Sequence, residues 1–79
     1  YPNPFNPTTS IVFELQKSEN VTLKVFNVLG EEVATVLNGV QTAGAHRIQF
    51  DGAELNGGVY FYQLTAGDYS ETRRMVLLK

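Results

Sequence analysis

The chain has 79 residues, 43% of them apolar, and a formal net charge of -2 at neutral pH. A chain of this length is one domain that buries roughly 60–65% of its unfolded surface, and its apolar content separates it from disordered tails. The absence of cysteine removes disulfide staples and thiolate chemistry, the mild acidity argues against electrostatic capture of nucleic acid, and no apolar run approaches the roughly 20 residues of a membrane-spanning helix, so direct membrane insertion is not expected.

Prolines stand only at positions 2, 4 and 7. Each fixes its own φ and disfavours helix for the residue before it, so residues 1–7 are expected to run extended ahead of a folded domain over residues 8–79. Tyr1 and Phe5 are the large apolar groups that would pin this segment down. The start lacks both an initiator methionine and the basic-then-apolar pattern of a signal peptide. It reads as a piece cut at a domain boundary, although tag removal or processing would give the same start.

From Thr8 onward, short β-rich runs are broken by turn residues every 8–12 positions, the pattern of an immunoglobulin-like antiparallel β-sandwich of about seven strands. Ile11, Phe13 and Leu15 alternate with Val12 and Glu14 in a first strand. After the polar turn at 17–20, Val21, Leu23 and Val25 begin a second strand that is expected to continue to Val28. Gly30 turns the chain, and Val33 to Leu37 follow as a short third strand. A helix competes here, because Val33, Val36 and Leu37 have i, i+3, i+4 spacing, but so short a helix is not stable alone.

Asn38-Gly39 reads as a turn, since both residues tolerate positive φ. Residues 40–44 then form a loop or weak edge strand. His46, Ile48 and Phe50 alternate in the next strand, and Asp51-Gly52 ends it. The most strand-like segment is Val59 to Ala66, a central strand with Tyr60, Tyr62 and Leu64 on one face and Phe61, Gln63 and Thr65 on the other. Ala66-Gly67-Asp68 closes a hairpin into a last strand from Tyr69 to Leu78. Met75-Val76-Leu77-Leu78 is apolar on both faces. The plainer reading is a central strand covered on both sides by its own domain, and the other is an exposed strand used for recognition.

Little in the sequence carries chemistry, and neither a catalytic site nor a cofactor nor a metal is expected. His46 is the only histidine, with no thiol to pair with it and with Ser10 outside any nucleophile-elbow pattern. A zinc site normally needs three or four His, Cys or carboxylate ligands and is not expected here, and Asp51 and Glu54 fall short of a calcium loop. The remaining carboxylates, Glu14, Glu19, Glu31, Glu32, Asp68 and Glu71, fall in turns or on solvent faces, and Gly57-Gly58 precedes a strand rather than a phosphate-binding helix. Tyr60, Phe61, Tyr62 and Tyr69 invite comparison with a sugar-stacking platform, but alternation splits Phe61 from its neighbours and such aromatics more often fill cores. Asn20-Val21-Thr22 is a glycosylation sequon of low specificity.

Four stretches together resemble a known family. They are Tyr1-Pro2-Asn3-Pro4-Phe5, the segment from Val25 to Val33 (VFNVLGEEV), Gly58-Val59-Tyr60-Phe61-Tyr62, and Arg73-Arg74-Met75-Val76-Leu77-Leu78-Lys79. In this order they are similar to the C-terminal sorting domains of type IX secretion substrates, and to the related immunoglobulin-like domain of flagellar hook-capping proteins. The resemblance spans the whole chain.

It implies a non-catalytic address label on an upstream cargo domain, recognised in the periplasm of a gram-negative bacterium by the outer-membrane translocon. A surface sortase-like peptidase would then act on it, leaving the cargo secreted or anchored at the cell surface. The resemblance marks Tyr1, Pro2, Asn3, Pro4, Phe5, Gly30, Gly58, Val59 and Tyr60 as family motif positions. It marks Arg73, Arg74, Met75, Val76, Leu77, Leu78 and Lys79 as the basic-apolar terminus expected to meet the partner. The competing expectations are a structural spacer or assembly module and an accessory carbohydrate-binding module.

Overall fold

The computed structural model describes residues 8–77, and these form six β-strands and no helix. The strands are β1 (Thr8–Leu15), β2 (Glu19–Phe26), β3 (Glu32–Gln41), β4 (Gly44–Asp51), β5 (Gly58–Ala66) and β6 (Tyr69–Leu77). The expected extended segment 1–7 lies outside the described residues, as do Leu78 and Lys79.

All pairings are antiparallel, and they make two sheets of unequal width. One is the pair β1-β4; the other runs β3-β2-β5-β6. The inward residues of both close a single apolar core, with Ile11, Phe13, Leu15 and Phe50 from the narrow sheet facing Val21, Leu23, Val25 and Leu64 from the wide one. Val21, Leu23 and Val25 are fully buried because β2 lies inside the wide sheet. Burial of each such side chain contributes about 1.5–3 kcal/mol. The thinnest dimension of the molecule, 16 Å, fits two sheets stacked about 10 Å apart. This is the expected β-sandwich.

The strand count among the described residues is six rather than about seven. Residues 40 and 41, read as part of a separate loop or weak strand, are the end of β3, and Asn38-Gly39 is not a turn. Asn38 pairs with Thr22 and Gly39 with Val21. An Asn-Gly hairpin would set β4 beside β3, but β4 pairs with β1 in the other sheet, so the chain must leave later and cross over. The crossover comes at Thr42-Ala43, with Gly44 at φ +115°. The second strand also ends earlier than expected, at Phe26 rather than Val28.

The helix-like spacing in β3 has a structural cause. Its register against β2 slips twice, between Leu23 and Lys24 and between Val25 and Phe26. Leu37 faces Leu23 but Thr35 faces Lys24, and Ala34 faces Val25 but Glu32 faces Phe26, leaving Val36 and Val33 as the extra residues. Each bulge advances the apolar face by one position, so Val33, Ala34, Val36 and Leu37 all pack against the core.

Candidate functional site

The terminal strand is where sequence reasoning placed recognition, and its surroundings are now defined. Among the described residues β6 is the outermost strand of the wide sheet, paired only with β5. The plainer reading, a central strand covered on both sides, is therefore corrected: among the described residues the strands between two neighbours are β2 and β5. Alternation along β6 divides the expected recognition residues between two faces. Leu77 is buried and Met75 packs against the core, each opposite an inner-face position of β5, Gly58 and Tyr60. Arg74 and Val76 stand on the outer face, opposite Phe61 and Val59, and Val76 is 51% exposed. The expected contacts at Leu78 and Lys79 lie outside the described residues.

Arg73 belongs to the inner face with Glu71 and Tyr69. The two-stranded sheet is too narrow to cover the first half of β6, which leaves a cleft of about 810 Å³ beside β1. Its floor is Phe13, Leu15, Leu64 and Ala66. On its rim the Arg73 Nε donates to Glu71 Oε2 at 2.8 Å, and the guanidinium makes an ion pair of 2.7 Å with the same oxygen. Bonding to Arg73, and then to the Tyr69 hydroxyl, holds the Glu71 carboxyl below its ordinary value. The same carboxylate raises the Tyr69 hydroxyl. Arg73 is thus already engaged, while Arg74 has no ion pair among the described residues.

The outer face of the wide sheet exposes apolar residues, among them Val59 and Val76. Phe26 of β2 faces Phe61 of β5, and Val59 faces Val76. A shallow depression of about 290 Å³ between Phe26, Val28, Phe61 and Thr72 continues this surface toward the β2–β3 loop. In that loop Val28 is 66% exposed and Leu29 80%. Lys24 lies alongside, paired with Glu32 at 3.5 Å. The Thr35 hydroxyl donates to Glu32 Oε2 at 2.7 Å, and this bond is the main cause of the lowered Glu32 pKa, ahead of Lys24.

The family-motif positions among the described residues are structural in their immediate contacts. Gly30 sits at φ +84° with open space around it, so the backbone angle and not crowding selects glycine. Gly58 begins β5 at φ +144°. Val59 is on the outer face, 36% exposed. Tyr60 is buried, and its hydroxyl donates to the Asn56 carbonyl at 2.8 Å, tying the β4–β5 loop to the start of β5. This is the tyrosine corner of immunoglobulin-like sandwiches, a tyrosine near the start of the penultimate strand bonding a few residues upstream. In the sequence its signal is Tyr60 two residues into the strand, four after Asn56. The motif positions Tyr1 to Phe5 lie outside the described residues.

The other chemical candidates are dispersed. His46 stacks on Phe13 with ring centroids 5.2 Å apart, and its Nε2 donates to the Thr42 carbonyl at 2.7 Å. Asp51 accepts the Ala53 N–H inside its own loop. No group of three or more His, Cys, Asp or Glu side chains suited to a metal ion occurs among the described residues. Tyr69 and Phe61 lie on opposite faces of the wide sheet and form no common platform for a sugar.

A family model described as a secretion system C-terminal sorting domain matches residues 1–78. No curated protein and no solved structure matches the chain.

Proposed function

Because the chain belongs to the family of secretion system C-terminal sorting domains, we propose that it is recognised by the type IX translocon through the free edge and outer face of β6. The family membership makes the domain a type IX sorting signal, one that directs the protein carrying it to the cell surface or the medium. The domain acts by being bound, and any chemistry belongs to the upstream cargo. Once outside, a surface sortase-like peptidase separates cargo from label.

The observation that carries the β6 reading is the difference between the two edges of the wide sheet. At one edge, β3 is bulged twice. Bulges are a common way to blunt an edge against unwanted pairing. At the other edge, the nine residues of β6 pair with β5 without a single register shift. A long regular edge is the template that strand addition requires. Charged residues on β6 discourage pairing with like copies, and a partner of matching pattern is not so excluded.

The test is export of a fluorescent reporter that bears a signal peptide and is fused ahead of residues 1–79, in a host with a type IX system. Deleting 73–79 alone is a poor test, because Met75 and Leu77 also fill the core. The informative variant is Arg74→Glu with Val76→Ser, both on the outer face. Export should fall by about tenfold, as when a central interface contact is removed, while the unfolding midpoint stays near wild type. Undiminished export of this variant would remove the outer face of β6 from the recognition surface.

A further inference from the structure

The two sheets leave one strip of the interior uncovered. Tyr69 stands on the inner face of β6, yet it is 54% exposed, because the narrow sheet stops at β1. The cleft of about 810 Å³ follows this strip, between the second half of β1 and the first half of β6, over Phe13, Leu15 and Leu64. Beside it β1 is regular: its eight residues pair with β4 without a register shift. The other edge of β1 meets no strand among the described residues. A regular edge next to an uncovered apolar floor suits one more strand, bonded to the edge and laying alternate side chains on the floor.

The residues just ahead of β1 have the pattern such a strand needs. Successive residues of an extended chain turn their N–H groups to opposite edges. Tyr1, Asn3 and Phe5 would therefore offer donors along one edge, with Pro2 and Pro4 on the other. Proline is tolerated in a sheet where its missing donor faces outward, so this segment suits an outermost strand that pairs on one side only. The same alternation puts the rings of Tyr1 and Phe5 on a common face. Asn6-Pro7 supplies turn residues immediately before Thr8. A hairpin loop of residues 6–8 would set Phe5 opposite Thr9 and Tyr1 opposite Phe13, turning Tyr1 toward the cleft. Residues 1–7 span at most about 25 Å, enough for the return of about 17 Å from Thr8 to Phe13.

We propose that the cleft and the outer edge of β1 are the seat of residues 1–7 of the same chain, which add a seventh strand to the sandwich and cover its floor with Tyr1. The seat is separate from β6 and leaves the edge of β6 open. Tethering selects this occupant over a strand from a second copy or from the translocon. Residues 1–7 are joined to β1 at Thr8, which gives them an effective concentration on the order of millimolar at the adjoining edge. The opening family motif, Tyr1 to Phe5, thereby acquires a physical task, since proline at alternate positions is what makes it a one-sided strand.

The chain has no cysteine, so one introduced pair reports the seat. In the proposed register Pro2 lies opposite Val12 on the outer face, and Arg47 of β4 pairs with Val12 from the far side. Val12 and Arg47 are exposed, so neither substitution disturbs the core. In the 79-residue chain, Pro2→Cys with Val12→Cys should close an intramolecular disulfide under mild oxidation. Closure should be about tenfold faster than for Pro2→Cys with Arg47→Cys, where two strand spacings, about 10 Å, exceed disulfide reach. Adding Asn3→Pro to the first pair keeps the segment extended but removes a donor from its bonding edge, and should slow closure to the rate of the second pair. Equal closure of the two pairs, or closure that Asn3→Pro leaves unchanged, overturns the proposal. A disulfide-linked dimer would give the seat to a second copy, and no closure of either pair would leave it to an outside strand; each overturns the proposal. None of these results depends on export, so the sorting reading stands or falls separately.

Discussion

Single side chains close the loops of this domain, and two of them show how. Tyr60 spans from the core to the β4–β5 loop, with a buried ring and a hydroxyl on the Asn56 carbonyl. Tyr60→Phe keeps the ring and deletes only that bond, leaving a partly buried carbonyl without its partner. Urea denaturation should show a loss of about 1–2 kcal/mol with an unchanged m value. Asn27 does comparable work in the β2–β3 loop, but at the surface, where water replaces lost bonds more cheaply. The sequence showed both residues plainly. It did not show their partners, because a tyrosine in a strand and an asparagine in a turn each have many local ways to be satisfied.

At the scale of the element, the two edges of the wide sheet have opposite characters. The bulged β3 was the hardest segment to read, since its two extra residues turn an alternating strand into a helix-like i, i+3, i+4 pattern. Length decided for strand, and pairing with β2 explains the anomaly. On β6, Tyr69, Glu71 and Arg73 form a polar row along one face. Glu71 has a carboxyl pKa lowered from 4.5 by Arg73 and Tyr69. A carboxyl depressed in the folded state adds stability above its unfolded pKa and loses it as the pH falls through the folded value. Glu71→Gln should therefore be less stable than wild type at neutral pH, and the difference should shrink as the pH falls through the folded-state value. Denaturant melts at neutral and at acid pH check this, and because the row is open to solvent the difference should be small.

Across the whole molecule, the narrow and wide sheets share one core, so neither has an independent source of stability. Leu23, fully buried on β2, touches that shared interior. Leu23→Ala should lower stability by about 2–5 kcal/mol. Fluorescence of the tyrosines and far-UV circular dichroism should still report one coincident transition. Separate transitions for the two probes would show that the sheets fold as independent units. The unequal widths also set the exposed surfaces: two strands facing four leave a cleft beside β6.

The sequence by itself determined the strand periodicity, the polarity of each face and the turn at Gly30, because these depend on residues near one another in the chain. It also carried the family, through four motifs in a fixed order. Only the tertiary structure decided which strands are edges and that Asn38-Gly39 stays extended. Those outcomes rest on pairing between distant segments. A hydrophobic pattern says which face turns inward, but the choice of neighbour is made by the competition of all strands for one core.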